Sequence, residues 1–195
     1  TLEYTVRKVF SALKETEEFI SRRYNYIDPL LPEDIFFITS QELEDMYPDC
    51  TPKERENRIT KVKKAVFVSQ IGKELASGQK HDGRAPDYDD WELNGDILVW
   101  YPTLHMGLEL SSMGIRVDEA SLSRQLKLAG CEERAELPFQ KALLNRELPY
   151  TIGGGIGQSR ICMYYLRKAH IGEVQSSIWP EDALHEAREH GIQLL

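Results

Sequence analysis

Residues 151–160 read Thr-Ile-Gly-Gly-Gly-Ile-Gly-Gln-Ser-Arg, and residues 109–116 read Glu-Leu-Ser-Ser-Met-Gly-Ile-Arg. In the first stretch, Tyr150-Thr151-Ile152 reads as a strand entering glycines at 153, 154, 155 and 157, and a helix opens near Gln158 with Ile161, Tyr164 and Tyr165. Glycines let a backbone approach phosphate and leave amides free to donate. The standard phosphate templates do not fit. A P-loop needs Gly-Lys-Ser/Thr where Gly157-Gln158-Ser159 stands, and a dinucleotide fingerprint needs a glycine where Arg160 stands. A close-packed strand-to-helix junction explains the glycines equally well. Arg160 tips the balance, because an arginine in the first turn of a helix after a glycine strand is placed to stack on a base or reach a phosphate.

The second stretch reads as a strand with polar groups on both sides. Strict alternation puts Glu109, Ser111 and Met113 on one face and Leu110 and Ser112 on the other. The preceding strand, Asp96 to Tyr101, is expected to pair antiparallel with Leu108 to Ser112, bringing Asp96 beside Glu109. Two such carboxylates repel unless a cation sits between them, and Mg²⁺ with ATP is the common solution; the alternative is that one or both face solvent. A third cluster, Asp87-Tyr88-Asp89-Asp90-Trp91, reads as a solvated loop, its aromatic residues being the one hint of a binding lip.

Further out, the pattern alternates helices and strands. Val6, Val9, Phe10, Leu13 and Ile20 recur at helical spacing, and Ile35 to Ile38 reads as a buried strand. Thr39 with Glu42 and Thr51 with Glu54 read as capping boxes for two helices, the second with Pro52 at its first position. Ala65 to Ile71 reads as a central strand and Gly78 to Trp91 as a loop. Asp118 caps a helix bearing Leu122 and Leu126 and ending at Gly130; further helices fall near Phe139 to Leu144 and Glu181 to Gly191.

The 195 residues are enough for one domain with its own core. The 24 Lys and Arg against 32 Asp and Glu give a net charge of −8, which disfavours binding to nucleic acid. No apolar run approaches the roughly 18 residues of a membrane span. Cys50, Cys131 and Cys162 form no close pair, which fits reduced thiols and a cytoplasmic setting.

The order of an acidic strand start, Glu109 to Arg116, and then Gly155-Ile156-Gly157-Gln158-Ser159-Arg160 resembles the catalytic domain of class II aminoacyl-tRNA synthetases, above all the aspartyl and asparaginyl branch. Ser159 stands where that class usually has an acidic residue. The strings His81 to Trp91, Leu93 to Trp100, Glu109 to Val117 and Thr151 to Arg160 more closely resemble a paralogous family, the ammonia-dependent asparagine synthetases.

This resemblance implies an α+β fold with a mainly antiparallel mixed sheet flanked by helices, in a homodimer using ATP and Mg²⁺ on aspartate and ammonia. It implies catalytic roles for Arg160 and Arg116, and ATP binding by Asp96, Glu109, Leu110, Ser111, Gly155, Gly157 and Arg160. Asp89, Ser112, Gly153 and Gly154 would meet the substrate, with Asp96 and Glu109 holding the metal. A family front half has no counterpart before Thr1, and a loop is expected between Trp91 and Leu93 where only Glu92 stands. The expectation is therefore one catalytic domain over residues 1–195, part of a longer chain, with a mobile loop omitted between 91 and 92. The competing readings are a tRNA synthetase catalytic domain and a non-catalytic relative.

Overall fold

The computed structural model describes residues 1–195. Helix α1 (Leu2–Tyr24) turns its apolar stripe, Val6, Phe10 and Leu13, into the core and ends at Asn25 in the left-handed conformation. Strand β1 (Phe36–Thr39) leads into α2 (Ser40–Met46), and α3 (Pro52–Lys63) leads into β2 (Ala65–Ser69). Both expected capping boxes form. Glu42 N donates to Thr39 Oγ1 at 3.1 Å while Thr39 N donates to Glu42 Oε2 at 2.8 Å, and Thr51 and Glu54 repeat the exchange.

The long strands β3 (Asp89–Tyr101) and β4 (Met106–Arg116) form the centre of the sheet. After them come α4 (Glu119–Leu128), α5 (Pro138–Leu144), β5 (Ile152–Ile156), α6 (Gln158–Tyr165) and α7 (Glu181–Glu189). The sheet order is β1-β2-β3-β4-β5, with β1 and β2 parallel and every other pair antiparallel. The expected mixed, mainly antiparallel sheet with flanking helices is present.

Two cores cover the sheet. On one face α1 and α6 pack Val6, Phe10, Leu13, Met163, Tyr164 and Tyr165 against Phe67, Ile97, Val99, Leu108, Leu110 and Met113. On the other face Leu43 of α2 and Ile59 of α3 cover Val66, Val68 and Leu98. Burying these side chains supplies the main stabilisation, each large aliphatic group contributing roughly 1.5–3 kcal/mol.

Three local expectations need correction. First, β3 begins at Asp89, inside the segment read as loop, because Asp89 pairs with Arg116 across β4. Second, the three consecutive glycines lie within β5, and none of Gly153, Gly154, Gly155 and Gly157 has a positive φ. They serve close approach: a Cβ on Gly154 would lie 2.6 Å from Met113 Cβ. Third, strict alternation fails in β4. Ile97 opposes Ser111 but Leu98 opposes Glu109, so Leu110 is an extra residue. This β-bulge places Leu110 and Ser111 on the α1 face and Glu109 and Ser112 on the opposite one.

Candidate active site

The face of the central strands away from α1 carries the polar cluster. Paired residues share a face, so Asp96 with Ser112, Gly114 with Gly153, Ser112 with Gly155, and Asp89 with Arg116 all lie here, together with Glu109. Asp96 is not opposite Glu109 as expected: Glu109 pairs with Leu98, two residues further along β3, and the partner of Asp96 across the pair is Ser112. The two carboxylates are still close enough for Glu109 to push the Asp96 carboxyl up, adding to the larger effect of burial, which Arg84 opposes.

Each carboxylate is matched by an arginine. Arg160, in the first turn of α6, reaches the Glu109 carboxylate at 3.0 Å and donates to the Glu109 carbonyl at 3.2 Å. Arg84 donates to Asp96 Oδ2, and Arg116 donates to Asp89 Oδ1. The Arg116 guanidinium also stacks 4.0 Å from the centre of the Tyr88 ring. Burial pushes the Asp89 carboxyl up, with Arg116 and then Arg84 working against it.

A cavity of about 280 Å³ lies over the glycine strand, between Glu109, Ser112, Gly155, Gly157 and Arg160. Gly155 leaves its floor open, since a Cβ there would meet nothing within 4 Å. Gly153 instead makes room for Arg116: a Cβ there would lie 2.5 Å from Arg116 Nη2. A larger cleft, about 580 Å³, opens beside Arg116 among Tyr88, Phe139, Leu143 and Pro149. Its charged lining is limited to Asp87 and Arg116, and Gln140 already donates to Asp87 at 2.7 Å, so the charge chemistry concentrates over the glycine strand.

The sequence-derived set divides. Asp89, Asp96, Glu109, Ser112, Arg116, Gly153, Gly155, Gly157 and Arg160 gather on or beside this face. Leu110, Ser111 and Gly154 do not present side chains to it: Leu110 is in the core, Ser111 Oγ donates to the Gly155 carbonyl at 2.9 Å, and Gly154 is pressed on Met113. Leu110 contributes through its backbone, its carbonyl accepting from Gly157 N at 2.9 Å.

Sequence reasoning gave no role to Arg84 or Gln125, and it met Tyr88 only as an aromatic of the loop's lip, not as the residue on which Arg116 stacks. Buried Gln125 of α4 accepts from Trp91 N at 2.8 Å and donates to the carbonyls of Pro86 and Asp89 at 2.9 and 3.1 Å, fixing the approach to β3. Its one sequence signal is a polar residue between Leu122 and Leu126 on an apolar helix face.

The donor set suits one divalent cation. Asp96 Oδ1 is buried and accepts no hydrogen bond, so a carboxylate oxygen remains for coordination. No group of three or more His, Cys, Asp or Glu side chains gathers to hold a metal, so a cation here would take Asp96 and Glu109 and complete its shell with water or phosphate oxygens, the usual habit of Mg²⁺.

Known structures share this architecture. Asparaginyl-tRNA synthetase from Entamoeba histolytica, in complex with asparaginyl-adenylate, superposes with a TM-score of 0.60 at 14% identity over 90% of this chain and 44% of that one. The Pyrococcus horikoshii enzyme complexed with asparaginyl-adenylate gives 0.57 at 16% identity, over 92% and 45%. The fold is therefore that of the class II asparaginyl- and aspartyl-tRNA synthetase catalytic core.

Sequence relatives narrow the class. The aspartate-ammonia ligase family profile matches residues 1–191, and the chain belongs to that family. It is 66% identical over 194 residues to the aspartate–ammonia ligase of Clostridium tetani and 64% identical over 195 residues to that of Ruminiclostridium cellulolyticum. All of this chain is matched, but it spans only 57% and 58% of those proteins.

Proposed function

We propose that this chain carries the nucleotide-handling side of an enzyme that joins aspartate and ammonia to form asparagine, cleaving ATP to AMP and pyrophosphate. The observation that carries the reading is the match over the whole chain to proteins named aspartate–ammonia ligase. The charged face agrees with it chemically.

In the reaction, an oxygen of the aspartate side-chain carboxylate attacks the α-phosphorus of ATP, and the bond to pyrophosphate breaks. Ammonia then attacks the acyl carbon of the resulting β-aspartyl-adenylate, loses a proton and expels AMP. The first step gathers negative charge at phosphorus, which Arg160 is placed to offset from the wall of the glycine-strand cavity. A Mg²⁺ ion, when bound, supplies further charge neutralisation, and Asp96 and Glu109 are the residues to hold it.

Open space above Gly155 admits a nucleotide close to the backbone. Arg116, oriented by Asp89 and Tyr88, presents a planar donor set suited to a substrate carboxylate. Asp89 would take the substrate ammonium as Arg116 turns to the carboxylate, and the Ser112 hydroxyl lies on the same face to assist. A homodimer in the cytoplasm completes the proposal; three unpaired cysteines suit a reducing compartment, and no helix is long and apolar enough to cross a membrane.

Product analysis of the intact protein tests this. Aspartate, ammonia and MgATP together should yield one AMP and one pyrophosphate per asparagine. Formation of ADP, or AMP without asparagine, would overturn it. Aminoacylation of tRNA would instead favour the synthetase reading, which the net charge of −8 opposes.

A further inference from the structure

Arg84 sits between β2 and β3, in a stretch without regular structure, and reaches two carboxylates at once. Its Nη2 donates to Asp96 Oδ2, while its Nη1 lies 2.5 Å from Asp82 Oδ2. These partners differ sharply. The Asp96 side chain is 7% exposed and the Asp82 side chain 63% exposed.

A buried carboxylate left without a cation is costly, so the Arg84 guanidinium is the group that makes an ionised Asp96 tolerable here. Asp96 also keeps one oxygen, Oδ1, free of hydrogen bonds. A divalent ion arriving at that oxygen and at Glu109 would bring two positive charges close to the guanidinium, where the burial of Asp96 weakens screening. Arg84 already touches a second, solvent-facing anion, so it has a place to retreat to without moving the sheet.

We propose that Arg84 and a divalent cation exchange at Asp96: the guanidinium holds the carboxylate in the cation-free protein and gives it up when the cation binds. This rests on the reading of Asp96 and Glu109 as the cation's holders. Arg84 is then a positioning residue that keeps the site charged and ordered before its cation arrives. It opposes binding of the bare ion, because its positive charge beside Asp96 repels the arriving cation until the guanidinium withdraws.

Two measurements on the intact protein without nucleotide test the exchange. The first labels arginines with phenylglyoxal and maps them by mass spectrometry. Saturating Mg²⁺ should speed modification of Arg84 at least about threefold, since a guanidinium released from a buried carboxylate becomes more accessible; an unchanged or slower rate overturns the proposal. The second follows free Mn²⁺ by electron paramagnetic resonance. Arg84→Gln should bind Mn²⁺ about tenfold more tightly than the parent, as removal of a competing cation predicts; equal or weaker binding overturns it. Should Arg84→Gln fail to fold, the labelling decides alone. Asp96→Asn separates the two ideas: if it binds Mn²⁺ as well as the parent, the assignment of Asp96 as a cation holder is what has failed, and the exchange falls with it.

Discussion

Toward α1, strand β4 buries Leu108, Leu110, Ser111 and Met113, whereas its opposite face presents Glu109, Ser112 and Arg116 to the arginine-rich site. Both faces come from the same eleven residues, and the bulge at Leu110 lets them differ. Without it, Ser112 would fall on the core face whenever Glu109 pointed to the site. With it, two adjacent residues share the core and two polar ones share the site. The comparison separates stability from chemistry within one strand, so substitutions on the two faces should fail in different ways.

The largest effect is expected on the core face. Leu110→Ala removes a fully buried side chain and should lower the unfolding free energy by about 3 kcal/mol, as chemical denaturation would show. The site face should respond in rate. Arg160→Ala, with a side chain 46% exposed, should cut AMP formation about 100-fold, equivalent to about 2.7 kcal/mol, while shifting the melting temperature little.

A smaller effect falls on the floor of the cavity. Gly155→Ala meets no protein atom, so stability should hold while ATP affinity, read by calorimetry, weakens about tenfold through contact with the nucleotide. Unchanged affinity would place the nucleotide elsewhere.

The smallest is a cap. Hydrogen bonds from Ser121 hold the Asp118 carboxyl below the usual carboxylate range at the start of α4, the helix that carries Gln125. Asp118→Ala should cost about 1 kcal/mol at neutral pH. A depressed folded pKa stabilises fully above the unfolded value near 4 and is lost as pH falls through the folded one, so the gap between parent and variant should narrow in acid. Thermal melts between about pH 3 and 7 would show it.

What the sequence made legible was mostly local. The capping boxes at Thr39 and Thr51 and the cap at Asp118 link residues three apart, and the caps form as read, Ser121 adding the return bond that turns the Asp118 cap into a box. The apolar strands were equally plain. The faces of β4 were not, because a bulge is a relation between two strands and leaves no mark on either alone. The same reason hid the partners of the site. Arg84 meets Asp96 from twelve residues away, Tyr88 meets Arg116 from 28, and Gln125 meets Trp91 from 34, each through folding that brings separate elements together.

The most direct test pairs one residue from each side of the sheet. ATP affinity and melting temperature would be measured for Arg160→Ala and Met113→Ala in the intact protein. The expected result is a crossing: Arg160→Ala loses ATP affinity and keeps its melting temperature, while Met113→Ala, buried in the α1-side core, melts lower and keeps its affinity. ATP bound by Arg160→Ala as tightly as by the parent would contradict the assignment of the arginine-rich face to the nucleotide.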